Sequence, residues 1–392
     1  MDSVYLDYHS SKPTDKRVLE EMMPYFTEMY GNPSSLHSMG DLASDALEAS
    51  RKRVAGFINA DEDEIVFTAS ATEASNMALI GYAMRRKRRG KHIIISEVEH
   101  ISIRNIAKYL EANGFEVSRV PVDQYGMVPL HKMERRIRDD TILISVIYAN
   151  NEIGTIQPIK AIGEIAADHD IAFHSDAVAA EGLIPLDVKR DGINLMSLSS
   201  NDLYGPHGVG ALYMQKRYRV NPVIIGGGQE RGIRSGSENI PGVVGMGAAA
   251  DLMQSEMHDE VRRMEAYREQ LIKNILQDVP DSHLNGHPTD RLASNSHFRF
   301  DGIEGEALLL SFKDHAIAVS TGSACTSKTL EPSHTLIATG LTHEEAHGSL
   351  QLTTGRFTED SDIDKVIKVT PDIVSNLRRL SPIYKEKKVF AR

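Results

Sequence analysis

A single cysteine, Cys325, in a chain of 392 residues excludes an intramolecular disulfide and any zinc site built from several thiolates of one polypeptide. Long apolar runs are missing too. No uninterrupted stretch reaches the roughly 18 residues that a membrane-crossing helix needs. The opening MDSVYLDYHS has no basic region leading into an apolar one, so a cytoplasmic protein with no membrane association is expected. Positive charge is in deficit: 44 Lys and Arg face 55 Asp and Glu, a formal net charge of -11, which argues against a general nucleic-acid-binding surface. One basic run, Arg85, Arg86, Lys87, Arg88 and Arg89, reads as a solvated helix end. Neither an internal repeat nor a low-complexity segment is present.

What is present suits a sizeable core, since 41% of the residues are hydrophobic and 25% charged, and the length favours two domains over one. Short runs rich in β-branched residues (EIVFT near 64, HIIIS near 92, then ILISVIY, IAFHS and INLMSLS) alternate with amphipathic segments. That alternation predicts an α/β fold with a largely parallel sheet covered by helices. Ala43, Leu47, Val54 and Ile58 share one helical face, as do Ile159, Ile162 and Ile165; both stripes read as core. From about 245 to 278 a long charged helix is expected to lead into a smaller α+β domain. Its strand candidates are NSHFRF, EGEALLLSF and AIAVST, with a closing helix near 361–379. The expected division is a large domain over 13–255 and a smaller one over 256–392 together with 1–12.

In a doubly wound sheet, ligands gather beyond the carboxyl ends of the strands, and phosphates favour the free N–H groups at helix starts. FTASATEASNMALI offers that geometry at Ser70, Ala71 and Thr72, although the same residue types cap many helices with no ligand. FHSDAV brings Asp176 to the same edge, where a carboxylate suits a protonated ring nitrogen as well as a structural role. Asn151, in YANNEIGTIQPI, could bond a carboxylate or a ring oxygen, and His100, after HIIISEVEH, could stack on a ring.

These pieces, in this order, resemble the NifS/IscS-type cysteine desulfurases of the class V aminotransferase group. The resemblance runs through YLDYHSSKPTD, GNPSSLHS, FTASATEASN, SEVEH, ANNEIGTIQPI, FHSDAV, LYGPHGVGALY, GGGQERGIRSGSEN, STGSACTSKTLEPSH and TTGRFTEDSDID. It implies a fold-type I pyridoxal-phosphate (PLP) transferase fold and a homodimer with the cofactor at the subunit interface. Carried over by position, Thr72 and Ser199 would bind phosphate, Ser237 would reach it from the other subunit, His100 would stack on the ring and Asp176 would face its nitrogen. Cys325 would match the loop nucleophile that takes sulfur from free cysteine.

The pattern breaks in the pocket, first at the lysine. Where the family has Ser-Gly-His-Lys, with the lysine binding PLP as an imine, this sequence reads Ser199, Ser200, Asn201, Asp202, and no lysine lies between Lys189 and Lys216. A carboxylate cannot form an imine; Asp202 could at most move protons, and its charge disfavours an anionic ligand. The family's His, ring-contacting Gln and substrate-clamping Arg are Asn201, Ala179 and Gln351, and the glycine of its phosphate turn is Ser70. Losing a bidentate Arg removes about 1.5 to 3 kcal/mol. The chain resembles an archaeal IscS-like subgroup with Asp at the lysine position.

Cys325 lies among Thr321, Gly322, Ser323, Ala324, Thr326 and Ser327, a polar setting that favours an exposed thiolate. The leading expectation is a partner of iron–sulfur cluster assembly without covalent PLP and without desulfurase activity. It would dock an IscU-type scaffold and supply Cys325 as the metal ligand of a shared 2Fe–2S cluster whose other ligands come from the scaffold. The carboxyl-terminal SPIYKEKKVFAR is the candidate docking surface. The alternatives are an active PLP-dependent desulfurase that binds its cofactor without a covalent link, and an accessory subunit that accepts persulfide sulfur.

Overall fold

The computed structural model of the chain describes residues 3–321, 332–382 and 384. Cys325 and most of SPIYKEKKVFAR lie outside the described residues.

The central sheet has seven strands. They are β2 (Ile65–Thr68), β3 (His92–Ser96), β4 (Glu116–Val120), β5 (Thr141–Ser145), β6 (Ala172–Asp176), β7 (Leu195–Ser199) and β8 (Gly210–Met214). Their order across the sheet is β2-β8-β7-β6-β5-β3-β4. From β4 to β7 every pairing is parallel, and β8 runs antiparallel to both β7 and β2. Side chains alternate between the two faces, as the pleat requires. Ile93, Ile95, Leu143 and Leu195 join Ile103, Ile106 and Leu110 of the helix Ile101–Ala112 on one side. Ile94, Ile144, Phe173 and Met196 join Leu47, Val54, Ile58 and Ile162 on the other. Both expected core stripes therefore cover the sheet, with Ile165 partly buried beside them. The basic run is a helix end as expected: Arg85, Lys87, Arg88 and Arg89 are exposed, and Arg89 pairs with Asp170 at 2.8 Å.

The helix Ile240–Asp278 crosses from this sheet to a second one, in which β10 (Asn295–Phe300) lies between β9 (Ser282–Leu284) and β12 (Ser349–Thr353). The closing helix spans Asp360–Leu380. Among the strand candidates, EGEALLLSF is a helix instead, Gly305–Asp314. Its buried Leu308 and Phe312 are four residues apart and share a helical face, so the period of the apolar residues outweighed a short apolar run. AIAVST contributes only the two-residue β11 (Ile317–Ala318), which pairs in parallel with β1 (Val4–Tyr5).

That pairing fixes the amino-terminal segment. Asp7 bridges to Thr353, and the Thr353 N–H donates to the Leu6 carbonyl at 2.9 Å. The chain then runs across the edge of the large sheet, where the Asp15 N–H reaches the carbonyl of Tyr204 at 2.9 Å. Residues 8–15 are thus suspended between the two sheets.

Candidate active site

The parallel strands all end at one edge, and the loops that follow enclose a cleft of about 420 Å³. Thr72, His100, Asn151, Asp176, Ser199 and Asp202 all line it, so six positions spread over 130 residues of sequence converge in space. Ser237 does not line this cleft; it is exposed at the surface of its own chain. No helix among the described residues is long and apolar enough to cross a membrane, and no group of three or more His, Cys, Asp or Glu among them converges to hold a metal.

One wall suits a ring bearing a phosphate. Past β2, the Ser70 hydroxyl accepts the Glu73 N–H at 3.1 Å and caps the helix Ala71–Asn76, which continues through a wider turn to Arg86. Gly210 opens β8 directly against this turn. A Cβ there would lie 2.6 Å from the Ser70 carbonyl carbon and 2.8 Å from the Ala71 nitrogen, so only glycine lets the strand pass. Arg234 fastens the turn from outside, its Nε donating to Glu73 at 2.8 Å. His100 caps the helix Ile101–Ala112, its Nδ1 accepting the Ser102 N–H at 3.2 Å, which leaves the proton of a neutral ring on Nε2.

Asp176, at the end of β6, is buried and accepts the Val178 N–H at 3.1 Å. Burial raises its pKa and the Asp202 charge adds to the rise, while His100 and the Val178 bond oppose it. Behind it, buried Glu99 is pushed up to about 8, mainly by burial, although its Oε1 accepts from Ser96 and from the Ile147 N–H.

The opposite wall is where the resemblance fails. Asp202 sits half-buried in a single turn, Asn201–Leu203, directly after β7. Burial raises its pKa, against the positive charge of Lys12 and a hydrogen bond from Ser199. Buried Glu181 accepts the Ser199 N–H at 2.7 Å through Oε1, and its Oε2 has no hydrogen-bond partner. Burial, reinforced by the charge of Asp202, holds its pKa well above the ordinary value. Gln351 does not offer a charge to the cleft; its side-chain N–H donates to the Asn151 carbonyl at 2.7 Å. Arg356 lies elsewhere, bound by Asp15, Glu256 and Glu260.

The sequence reading missed two residues of this wall, Lys12 and His9. His9 donates from Nδ1 to the Asn151 carbonyl and accepts from Ser294 at Nε2, each at 2.8 Å; burial lowers its pKa to about 4, so the ring is neutral. Lys12 is buried and its Nζ donates to the main-chain carbonyl of Asp202 at 2.7 Å. Asn201 grips the same residue, accepting the Lys12 N–H at 3.1 Å and donating to the Lys12 carbonyl at 2.6 Å. The negative charge expected of Asp202 thus has the Lys12 amine beside it. Both residues sit in YLDYHSSKPTD, a stretch already recognised as a motif, and a lysine inside it was the available signal.

The donor set fits PLP. A carboxylate at the cleft floor, an imidazole at its side and hydroxyls at a helix start beside a Cβ-free strand match a pyridinium, a ring face and a phosphate in turn.

The family model for class-V aminotransferases matches residues 4–366. Cysteine desulfurase IscS 1 of Archaeoglobus fulgidus is 52% identical over 381 residues, covering 97% of this chain and 99% of that protein. The cysteine desulfurase IscS of Methanosarcina thermophila is 49% identical, covering 97% and 94%. A solved NifS-like protein superposes with a TM-score of 0.90 at 33% identity, covering 96% of this chain and all of that one.

Proposed function

We propose, from the premise that this chain belongs to the class-V aminotransferase family and has IscS cysteine desulfurases as homologues, that it serves iron–sulfur cluster assembly without desulfurase activity and without a covalent cofactor bond at residue 202. In this reading it is a cytoplasmic homodimer, with 13–255 as its cofactor-type domain and 256–392 with 1–12 as the smaller one. It docks an IscU-type scaffold and offers the Cys325 thiolate as one ligand of a 2Fe–2S cluster, the cargo of the complex. The observation that carries the reading is Asp202, a carboxylate at the end of β7 held by Ser199, where the family resemblance calls for an amine.

The test is to rebuild a cluster from iron and sulfide on the scaffold, with this protein and with its Cys325→Ala variant, and to follow the cluster's visible absorption. Cys325→Ala is expected to shorten cluster lifetime in a complex of unchanged stoichiometry. Equal lifetimes would end the ligand role.

A second reading, an active desulfurase that delivers persulfide from Cys325, draws support from the wall of Thr72, His100 and Asp176. When bound, PLP supplies an electron-accepting ring. Asp176 would hold the proton on the ring nitrogen, His100 would cover one face, and Asn151 would orient the ligand's polar groups. The complete absence of sulfide or persulfide from cysteine, in folded protein supplied with PLP, would eliminate this reading.

A further inference from the structure

The cleft contains an amine that neither reading uses. Lys12 is buried, yet it forms part of the cleft wall. Its surroundings differ from those of a structural ion pair. Among the described residues, no carboxylate oxygen comes within ion-pair distance of Nζ. Its hydrogen bond goes to the neutral carbonyl of Asp202, and the Tyr204 ring centroid lies 5.3 Å away. An ammonium has three protons to donate, and a buried lysine kept only for charge is normally found against a carboxylate. The main chain is meanwhile held on both sides by the Asn201 amide, so the residue is fixed at its root while its tip has capacity to spare.

We propose that Lys12 is the reactive amine of this cleft, its Nζ forming a carbon–nitrogen double bond with the aldehyde of PLP seated against Asp176 and His100. The proposal rests on the reading of the cleft as a PLP site and is independent of the cluster-ligand role of Cys325. The substitution at residue 202 is then one half of a relocation: the amine enters from the amino-terminal segment, and a carboxylate takes the strand end.

The surroundings serve the chemistry. Burial lowers the proton affinity of Lys12, outweighing the opposing attraction of Asp202, Glu181 and Glu260, while the charge of Arg356 lowers it further. Burial raises the proton affinity of Asp202 and Glu181. Lowered proton affinity at Nζ favours loss of a proton from the ammonium to solvent in the open cleft, freeing the nitrogen lone pair. The nitrogen attacks the aldehyde carbon, the carbonyl oxygen takes up two protons, and one water leaves as the double bond closes. The amine and the aldehyde give an imine and water, with no oxidant or reductant involved. Had residue 202 remained a lysine, two ammonium groups would share this wall. A carboxylate there instead places a negative charge near the Lys12 amine.

The experiment maps the bond directly. The wild-type protein, Lys12→Arg and Lys12→Ala are each incubated with PLP, reduced with borohydride, unfolded, digested and examined by mass spectrometry. The expected result is one pyridoxyl phosphate group per wild-type chain, on the peptide containing Lys12. Both variants are expected to fall to background, including Lys12→Arg, which keeps the charge and thereby separates reaction from folding. A label on another lysine, a label spread over surface lysines with no excess at residue 12, or no trapped label at any PLP concentration would overturn the proposal. None of these outcomes bears on the lifetime of a scaffold-bound cluster, which is measured without PLP.

Discussion

The two sides of the cleft differ in how far they keep the residue types of the family pattern. On the ring-and-phosphate side, Thr72, His100 and Asp176 line the cleft, with Glu73, Glu99 and Gly210 packed nearby. Elsewhere around the cleft, Ala179, Asn201, Asp202 and Gln351 all depart from the family pattern, and Lys12 and His9 supply polar contacts to Asn201, Asp202 and Asn151. Holding an aromatic anion and reacting with it are separable tasks. The first needs donors spread along rigid strand ends, whereas the second depends on one nitrogen whose point of origin in the chain can change.

The contrast can be broken on the first wall. Glu99 has its pKa raised to about 8 from an ordinary 4.5, so the folded state binds the extra proton between those values. Its stabilising contribution is full below pH 4.5 and disappears as pH rises through 8. Urea denaturation at pH 5.5 and 8.5 should show the wild type losing more stability than Glu99→Gln, by on the order of 4 kcal/mol. Parallel losses would mean that this wall carries no such strain.

Next in size, Asp176→Ala removes a charge-assisted contact worth about 1.5 to 3 kcal/mol, so PLP affinity by fluorescence titration should fall about 10- to 100-fold. Unchanged affinity would remove the functional distinction between the walls. Gly210→Ala forces a Cβ onto the backbone of Ser70 and Ala71. It should lower stability by about 1 to 3 kcal/mol and weaken binding of inorganic phosphate in the same variant. The smallest effect belongs to the facing wall: Gln351→Ala deprives the Asn151 carbonyl of one of its two side-chain donors and should cost about 1 kcal/mol in thermal unfolding, with PLP affinity little changed.

Most of the fold could be read from local pattern. Runs such as HIIIS and NSHFRF became β3 and β10 because β-branched and aromatic residues at strand length carry their own signal. EGEALLLSF misled because a short apolar run suits either period until its partners are known. The ring-and-phosphate wall was legible because each of its residues lies just past a strand or at a helix start. Lys12 was not. No lysine lies near residue 202 in sequence, whereas the Lys12 Nζ reaches the Asp202 carbonyl from 190 residues away and the Asn201 amide grips the Lys12 main chain. No local periodicity encodes such a pairing; it exists only once both sheets have formed.

The short parallel pairing of β1 with β11 has a practical consequence. The segment that delivers Lys12 shares its first strand with the residues immediately preceding the stretch that contains Cys325. The path of the chain to Lys12 therefore starts from a few hydrogen bonds near the amino terminus. Trimming the first handful of residues would remove the strand that anchors the segment leading to Lys12.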